Sequence, residues 1–441
     1  MKLVSFKGGI HPDDGKRLSK DKPIERLIPA DGEYVYPLSQ HIGAPAKDIV
    51  KRGDRVLRGQ MIAEAGGFVS SPIFSSVSGT VKKIEPRYVP TGDKVNSIVI
   101  ESDGKNEEMT FEKPRSYKDM DKKEILSLIQ NAGIVGMGGA GFPTHVKLSP
   151  PPDCKIDYII ANCAECEPYI TADYRRMLEY PERLIEGLKI AMSLFDGVKG
   201  ILAIEDNKKD CIEKLDALVK DEPDIEVVAL KAKYPQGAER QLIYATTGRA
   251  INSTMLPAHA GCIVDNVETL VALQNAVVNG IPLFERVITV SGDAIQQTAN
   301  FLAPLGMSQN ALIEKCDGTK SEPEKIISGG PMMGFAMHTT KVPVTKTSSA
   351  MLLFTKDAVK ANAPSACINC GRCVDACPSR IVPSRLADFA LRGDEETFVA
   401  WDGLECIECG SCSAVCPAYR HLKQAIGSMR KQTLANRKKK K

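Results

Sequence analysis

Eight of the fourteen cysteines stand in two copies of one spacing, and this repeat limits what the C-terminal part of the chain can fold into. Each copy has the form C-x2-C-x2-C-x3-C-P. In such a motif three thiolates wind around one face of an iron–sulfur cubane. The fourth, which opens the following helix, points away and binds the cubane of the other copy. The copies are Cys367, Cys370, Cys373 and Cys377, then Cys406, Cys409, Cys412 and Cys416.

The repeat predicts two [4Fe–4S] clusters. Zinc is the alternative, because C-x2-C pairs also bind zinc. A zinc ion takes only four thiolates and does not require a repeated four-cysteine run that ends in proline. We therefore favour the clusters, each held by three cysteines of one copy and the last of the other. The first cysteine set is Cys367, Cys370, Cys373 and Cys416, and the second cysteine set is Cys406, Cys409, Cys412 and Cys377.

The other six cysteines do not extend this pattern. Cys163 and Cys166 form a C-x2-C pair, but no second pair stands nearby, so we do not count them as ligands. The isolated cysteines are expected to fill core positions as small hydrophobic residues. They are Cys154, Cys211, Cys262 and Cys316.

The chain has 441 residues, of which 43% are hydrophobic, so it should divide into several domains. Its net charge of +3 gives no field that would suggest nucleic acid as a partner. The N-terminus lacks an apolar run typical of a signal peptide, and no stretch reaches the roughly 20 apolar residues of a membrane-spanning helix. We therefore expect a soluble polypeptide whose thiols are reduced.

Residues 38–85 contain short alternating segments between turn signals, which predicts a small all-β region. The run from Val50 to Ala63, followed by Ser78-Gly79-Thr80-Val81, resembles the biotinyl/lipoyl-type barrel-sandwich hybrid. Carrier domains of that type hold their cofactor on a lysine at a hairpin tip. No lysine stands between Gly59 and Val81. The resemblance therefore implies the fold without the swinging-arm function.

From about Lys118, strands alternate with helices, which predicts a parallel α/β sheet. Residues 157–161 and 200–204 are predicted strands, and Pro181 to Phe195 is a predicted helix. At the start of this region, residues 133–144 read G-I-V-G-M-G-G-A-G-F-P-T. Such a loop lets the backbone approach a ligand and turn its N–H groups toward phosphate or a flat ring. Taken alone, it is also compatible with a flexible turn.

Four other features accompany this loop: Lys147 and the runs 162–168, 234–239 and 265–269. Together they resemble the flavin-bearing subunit of respiratory complex I, which binds FMN and NADH on a modified Rossmann-like domain. The sequence departs from that family at Met137, Ala164 and His259.

The resemblance implies which residues bind the cofactors. A lysine can offset charge on phosphate or on reduced flavin, an aromatic side chain can stack on a ring, and carboxylates can accept from ribose or amide donors. FMN would be surrounded by Gly136, Gly138, Gly139, Ala140, Gly141, Phe142, Lys147, Asn162, Glu165, Asn266 and Thr269. NAD(H) would be faced by Phe142, Glu167, Tyr234 and Glu239, with Gly237 in the same segment.

Nearly the whole chain resembles RnfC. The resemblance rests on residues 6–12 (F-K-G-G-I-H-P), 164–173 and 329–334 (G-G-P-M-M-G), together with the two cysteine motifs. It implies the FMN and iron–sulfur subunit of a membrane-bound, ion-translocating ferredoxin:NAD oxidoreductase complex. Such a subunit exchanges hydride between NAD(H) and FMN and passes single electrons between FMN and the clusters. The expected partners are RnfB, RnfD, RnfG and the remaining subunits, at the cytoplasmic face of the cell membrane.

Two other functions are compatible with these features. A soluble flavin and iron–sulfur reductase, such as the RnfC-related cobalamin reductases, would use the same cofactors. A non-catalytic assembly protein would only conduct electrons through its clusters. The Gly-Gly-Ile-His-Pro segment of residues 8–12 and the basic tail favour the RnfC-like subunit over the soluble reductase.

The chain is therefore expected to be a multidomain α/β protein. The region that begins near Arg286 resembles the soluble-ligand-binding β-grasp domain, where a structural role is favoured over ligand binding.

In the tail, Leu422, Ile426 and Met429 recur near helical spacing among basic residues. This predicts an amphipathic helix on an acidic membrane or a partner, or else a solvated tail. The expected divisions are a barrel-sandwich hybrid (1–115), a Rossmann-like FMN/NAD(H) domain (116–280), a β-grasp domain (281–355), a helical two-[4Fe–4S] ferredoxin-type domain (356–420) and the basic amphipathic tail (421–441).

Overall fold

The computed structural model describes residues 2–439, and its first part is an extended segment that crosses several other parts of the chain. We call residues 2–22 the N-terminal strap. Within it, Val4 pairs with Leu230 and Ile10 pairs with Tyr234. Strand β1 (Ile24–Arg26) then joins a sheet formed by residues after position 284. The strap therefore connects regions that are far apart in sequence.

The domain after the strap is all β, as the alternating segments predict. It has two antiparallel sheets, one of four strands and one of three. Tyr36, Ile62 and Ile98 come from both sheets and are buried in one core. The strands are β2 (Gly32–Pro37), β3 (Lys47–Asp48), β4 (Arg55–Val56), β5 (Met61–Glu64), β6 (Ile73–Phe74), β7 (Gly79–Tyr88) and β8 (Lys94–Ser102).

A four-stranded parallel sheet follows, as the alternation of strands and helices predicts. Ile159, Ile160 and Ala161 are fully buried, as expected for a parallel strand that is covered on both faces. The strands are β9 (Tyr158–Cys163), β10 (Lys199–Glu205), β11 (Ile225–Leu230) and β12 (Cys262–Asn266). The helices are α1 (Lys122–Asn131), α2 (Thr144–Lys147), α3 (Ala172–Glu179), α4 (Pro181–Met192), α5 (Lys209–Leu218), α6 (Glu239–Thr247) and α7 (Val267–Asn279).

The direction of strand addition reverses at β9. The sheet order is β11-β10-β9-β12, so β10 and β11 lie on one side of β9, and β12 lies on the other. In open parallel sheets, ligands bind in a crevice outside the carboxyl ends of the strands at such a reversal. Asn162 of β9 and Asn266 of β12 are paired in register at these ends. We call this place the β9/β12 crevice.

A six-stranded mixed sheet comes next and includes β1 from the N-terminus. Asn300 ties the strap to this sheet, because its side-chain nitrogen donates to the carbonyl oxygens of Ser19 and Lys22, each at 3.0 Å. One helix, which begins at Gln309, lies between the strands of this region. The elements are β13 (Glu285–Ser291), β14 (Ala299–Pro304), α8 (Gln309–Lys315), β15 (Lys325–Ser328), β16 (Phe335–Ala336) and β17 (Ala350–Phe354).

The C-terminal domain is helical, and its two cysteine motifs share one backbone conformation. Gly371 and Gly410 have φ values of 79° and 83° at equivalent positions. Asn369 and Glu408, two residues earlier, have φ values of 55° and 56°. The motifs therefore fold as structural repeats. The helices are α9 (Arg372–Asp375), α10 (Pro383–Arg392), α11 (Glu395–Ala400), α12 (Ser411–Ala414) and α13 (Leu422–Lys439).

The fourth cysteine of each motif does not open a helix, which corrects the expectation from the sequence. Cys377 and Cys416 each follow a short helix, α9 and α12, at its C-terminal end. The proline directly after each cysteine explains the difference. Proline has no N–H group, and it disfavours the helical conformation of the residue before it.

The expected C-terminal helix is present as α13, but its apolar side is already covered. Leu422, Ile426 and Met429 are buried in one core with Leu386 of α10 and Phe398 of α11. This corrects the expectation that the apolar side rests on a membrane or a partner, because it forms the core of its own domain. The last two residues of the predicted basic tail, 440–441, lie outside the described residues. In the part of the chain that the structure describes, no helix has the length and apolar character needed to cross a membrane.

Candidate functional site

Two asparagines define the β9/β12 crevice. The side-chain nitrogen of Asn162 donates to the carbonyl oxygen of Gly237 at 2.8 Å. That of Asn266 donates to Asp173 Oδ2 at 2.7 Å, and the Asn266 side-chain oxygen accepts the N–H of Glu268 at 2.9 Å. These bonds hold both side chains in place, so the crevice is formed before any ligand binds.

The glycine-rich loop between α1 and α2 lies against the crevice. Thr269 Oγ1 accepts the N–H of Met137 at 2.9 Å. A Cβ atom at Gly138 would lie 2.9 Å from the Cβ of Asn266, so this close approach requires glycine. The N–H groups of Gly138, Gly139 and Ala140 are on exposed residues and donate no hydrogen bond to the described part of the chain. They remain available for an anionic group such as phosphate.

A fully buried carboxylate, Asp265, and a partly exposed lysine, Lys147, form a pair of opposite charges next to the crevice. Lys147 Nζ donates to the carbonyl oxygen of Val264 at 2.7 Å and lies 3.4 Å from Asp265 Oδ1. Burial raises the pKa of Asp265, and Lys147 acts in the opposite direction. Partial desolvation likewise raises the pKa of Glu239, an exposed residue at the start of α6, and Lys147 again acts in the opposite direction. Two carboxyl groups therefore share the field of one lysine.

Asp265 is a site residue that sequence reasoning missed. Its side chain is fully buried, and neither of its carboxylate oxygens accepts a hydrogen bond from the described residues. Lys147 Nζ, 3.4 Å from Oδ1, compensates this buried carboxylate only from one side, so the carboxylate suits a ligand that carries hydroxyl or N–H groups, as FMN does. The available signal was its position directly before Asn266 in the sequence.

A second group of buried charges lies on the segment after β9. Glu165 Oε1 accepts the N–H of Asp173 at 2.7 Å, and Lys16 Nζ of the strap lies 3.5 Å from Glu165 Oε2. Burial raises the pKa of Asp173 to about 7, and the charge of Glu165 adds to the rise. Asp173 can therefore hold or release a proton near neutral pH, directly beside Asn266. Sequence reasoning selected Glu165 but missed Asp173 and the distant Lys16.

Glu167 and Tyr234, which are expected to face NAD(H), contact the C-terminal half of the chain. Glu167 accepts the N–H groups of Met332 at 3.1 Å and Met333 at 2.9 Å. Tyr234 Oη donates to the carbonyl oxygen of Cys409 at 2.6 Å. Their role toward the nucleotide stays a prediction.

The remaining residues of the predicted nucleotide site lie on neighbouring loops. Phe142 is half-buried, and its carbonyl oxygen accepts the N–H of Gly136 at 2.8 Å, which closes the glycine-rich loop. Gly141 has a φ of 72°, and a Cβ there would lie 3.0 Å from the carbonyl oxygen of Gln40 in the β domain. Gly237 donates its N–H to Cys166 Sγ at 3.3 Å.

The eight motif cysteines line two cavities, and each cavity combines cysteines from both motifs. Their volumes are about 350 Å³ and about 550 Å³. Among the described residues, no group of three possible ligands converges closely enough for a single metal ion. The smaller cavity is lined by Cys377, Cys406, Cys409 and Cys412, and the larger by Cys367, Cys370, Cys373 and Cys416. The structure thus brings together the first and second cysteine sets that the spacing predicts.

The two cysteine sets have different surroundings. Around the second set, the N–H of Gly9 in the strap donates to the carbonyl oxygen of Ala376 at 2.9 Å. A Cβ at Gly8 would lie 2.7 Å from the carbonyl oxygen of Cys377, so the strap fits tightly there. In the first set, by contrast, Cys367 and Cys370 are exposed. The second set is therefore enclosed by other domains, while the first set reaches the surface.

The cysteines outside the two sets occupy structural positions. Cys211, Cys262 and Cys316 are buried, as expected, and Cys154 is half-buried. Cys163 is buried, and burial raises the pKa of its thiol well above the ordinary value.

Three family models match the chain. They are the RnfC barrel sandwich hybrid domain over residues 4–105, the Nuo51 FMN-binding domain over residues 129–275 and the 4Fe-4S dicluster domain over residues 366–422. The residues at the β9/β12 crevice and in the two cysteine-lined cavities fit these cofactors. An FMN-binding domain joined to a dicluster domain defines a flavin and iron–sulfur electron-transfer protein.

Two relatives identify the family more closely. The chain is 47% identical over 386 residues to the C subunit of the proton-translocating ferredoxin:NAD(+) oxidoreductase complex of Clostridium ljungdahlii, covering 87% of this chain and 84% of that one. It is 44% identical over 440 residues to the C subunit of the Na(+)-translocating complex of Acetobacterium woodii, covering 100% and 99%. The chain therefore belongs to the RnfC family, which confirms the resemblance seen in the sequence.

Two solved structures of an NAD+-reducing [NiFe]-hydrogenase resemble the fold. The air-oxidized state gives a TM-score of 0.51 at 20% identity, covering 71% of this chain and 61% of that chain. The H2-reduced state gives 0.50 at 20% identity, covering 73% and 62%. At this identity the likeness concerns the fold alone.

The exchange of the last cysteine between the motifs can be tested by substitution. In Cys377→Ser we expect the iron content to fall from about eight to about four per chain, with loss of the second cluster. The electron paramagnetic resonance spectrum should then match that of Cys412→Ser and differ from that of Cys373→Ser. A Cys377→Ser spectrum that matches Cys373→Ser would show that each motif holds its own cluster. Cys154→Ser serves as the control outside both sets.

The contribution of Lys147 to flavin binding can be separated from its role beside Asp265. In Lys147→Met with Asp265→Asn, the buried Asp265 carboxylate is not left without its cation, so folding should be retained. Asp265→Asn alone is the reference that shows what Asp265 itself contributes to FMN binding. We expect FMN affinity to fall ten- to a hundredfold, which corresponds to about 1.5–3 kcal/mol for a charged hydrogen bond. Fluorescence titration of FMN measures this, with exposed Lys123→Met as the control. Unchanged affinity in a folded double variant would exclude Lys147 as an FMN ligand.

Proposed function

We propose that this chain is a subunit of a membrane-associated, ion-translocating ferredoxin:NAD oxidoreductase complex and that it is the subunit that reacts with NAD(H). The activity named for its relatives in C. ljungdahlii and A. woodii supports this function. The observation that carries the proposal is the direct contact between the FMN-binding domain and the second cysteine set. Tyr234 Oη lies 2.6 Å from the carbonyl oxygen of Cys409 at this contact.

FMN, when bound, exchanges hydride with a nicotinamide and single electrons with iron–sulfur clusters. The free N–H groups of Gly138 to Ala140 and the cation of Lys147 suit its phosphate. The unsatisfied oxygens of Asp265 suit hydroxyl or N–H donors of the same cofactor. Asp173, whose pKa burial raises to about 7, is suited to store a proton beside the crevice.

The different surroundings of the two cysteine sets support assigning each set to one end of the electron path. The second set is in contact with the FMN-binding domain and the strap, so its cluster exchanges electrons with the flavin. The first set, with Cys367 and Cys370 exposed, serves exchange with a partner that carries its own redox centre. The RnfB, RnfD and RnfG subunits are the partners that the family suggests.

Finer assignments belong to the same proposal. We infer that the parallel sheet is the Rossmann-like domain and that the mixed sheet is the β-grasp domain, with the domain limits expected from the sequence. We also infer a peripheral position at the cytoplasmic face of the membrane. Because Leu422, Ile426 and Met429 of α13 are buried, the basic residues of this helix supply most of the surface for such a contact.

Cofactor analysis of anaerobically purified protein, followed by titration with NADH, tests the proposal. We expect FMN and about eight irons per chain, and bleaching of both flavin and cluster absorbance by NADH. A dye reduced by NADH provides an independent readout. Eight irons without flavin, and no response to NADH after FMN is added, would overturn the function and leave only an electron-conducting scaffold.

A further inference from the structure

Three distant parts of the chain meet between the FMN-binding domain and the second cysteine set. They are the loop after β9, which carries Glu167, the loop between β15 and β16, which carries Met332 and Met333, and the second cysteine loop, which carries Cys409. Neither the cofactor chemistry nor the family models require such a junction. Its contacts engage the carboxylate of Glu167 and the hydroxyl of Tyr234, two residues that the sequence analysis assigns to the NAD(H) site.

Glu167 holds the methionine loop through both of its carboxylate oxygens. Oε2 accepts the N–H of Met332 at 3.1 Å, and Oε1 accepts the N–H of Met333 at 2.9 Å. Gly330 packs directly on this carboxylate, where a side chain would collide with it. Burial raises the pKa of Glu167, while the two N–H donors act in the opposite direction. The loop is thus shaped around the carboxylate, and each of its oxygens already accepts one backbone N–H.

The same methionine loop is fastened to the cluster domain. Lys423 Nζ of α13 donates to the carbonyl oxygen of Met332 at 3.0 Å. A Cβ at Gly410, next to Cys409, would lie 3.1 Å from that carbonyl oxygen. The loop therefore contacts the FMN-binding domain with its N–H groups and the cluster domain with its carbonyl oxygen.

Tyr234 forms a second connection beside the first. It is almost fully buried, and its hydroxyl donates to the carbonyl oxygen of Cys409 at 2.6 Å. The hydroxyl also lies 3.5 Å from Glu167 Oε1. The backbone of Tyr234 pairs with Ile10 of the strap through two hydrogen bonds of 2.8 Å. Both the backbone and the side chain of Tyr234 are therefore engaged at this junction.

We propose that Glu167 and Tyr234 are positioning residues for electron transfer, which clamp the second cysteine set to the FMN-binding domain instead of binding the nucleotide through their polar groups. This inference rests on the proposed function. Small displacements of reacting groups have large effects on rate, and hydrogen bonds and solvent exposure near the ligands tune cluster potentials. Loss of the clamp should therefore affect the second cluster selectively.

Tyr234→Phe is the direct test, because it keeps the buried ring and removes only the hydroxyl. We expect FMN affinity, the KM for NADH and the spectrum of the first cluster to stay unchanged. The midpoint potential of the second cluster should shift, and its reduction after rapid mixing with NADH should slow by roughly three- to tenfold, the effect of one hydrogen bond. The matched control is Tyr244→Phe, an exposed tyrosine on α6.

Glu167→Gln tests the other half of the clamp. A glutamine side chain has one acceptor oxygen, so it can satisfy only one of the two N–H groups. We expect faster amide hydrogen exchange at Met332 and Met333, with exposed Glu213→Gln as the matched control.

Both variants can be assessed even if the protein does not react with NADH. Dithionite titration still measures the second-cluster potential, and amide hydrogen exchange still reports on the methionine loop, because neither depends on the nucleotide. Failure of the proposed function is thus distinguishable from failure of the clamp. A raised KM for NADH in either variant, with unchanged second-cluster potential and unchanged exchange at the methionine loop, would overturn the inference and assign both residues to the nucleotide.

Discussion

The exchange of Cys377 and Cys416 between two cavities is the constraint on which the C-terminal domain depends. Each cavity takes three cysteines from one motif and the last from the other, so neither motif can be completed without its partner. A domain this small has a limited apolar core, and metal ligation commonly supplies the missing stability. The carbonyl of Cys377 also lies against Gly8, so the N-terminal strap packs directly on this cysteine.

The FMN-binding domain is built around a different constraint, the burial of charge. Asp265 and Glu165 are buried and Asp173 is half-buried close to the β9/β12 crevice, where Lys147 lies beside Asp265 and Lys16 lies beside Glu165. Buried carboxyl groups cost free energy. Groups with raised pKa values, such as Asp173 and Asp265, are concentrated at functional sites. We infer that the domain retains this cost because the carboxyl groups bind FMN and hold protons beside it.

The sequence was sufficient for features with local signals. The cysteine spacing predicts the two sets of cysteines that line the two cavities, and the alternation of elements predicts the parallel sheet. It could not give contacts between distant segments, such as Lys16 beside Glu165, Met332 on Glu167 or Tyr234 on Cys409. No periodicity records such contacts, because packing of separate domains creates them. The same reason explains α13, whose apolar residues were visible in the sequence while the surface that covers them was not.

The most direct test of the account is a crystal structure of the anaerobic protein soaked with FMN, with anomalous data at the iron absorption edge. The account predicts two separate iron cubanes, one in each cysteine-lined cavity, and FMN density in the β9/β12 crevice, with the second cysteine set as the nearer one. Zinc in the cavities, flavin density elsewhere, or the first cysteine set nearer to the flavin would contradict it.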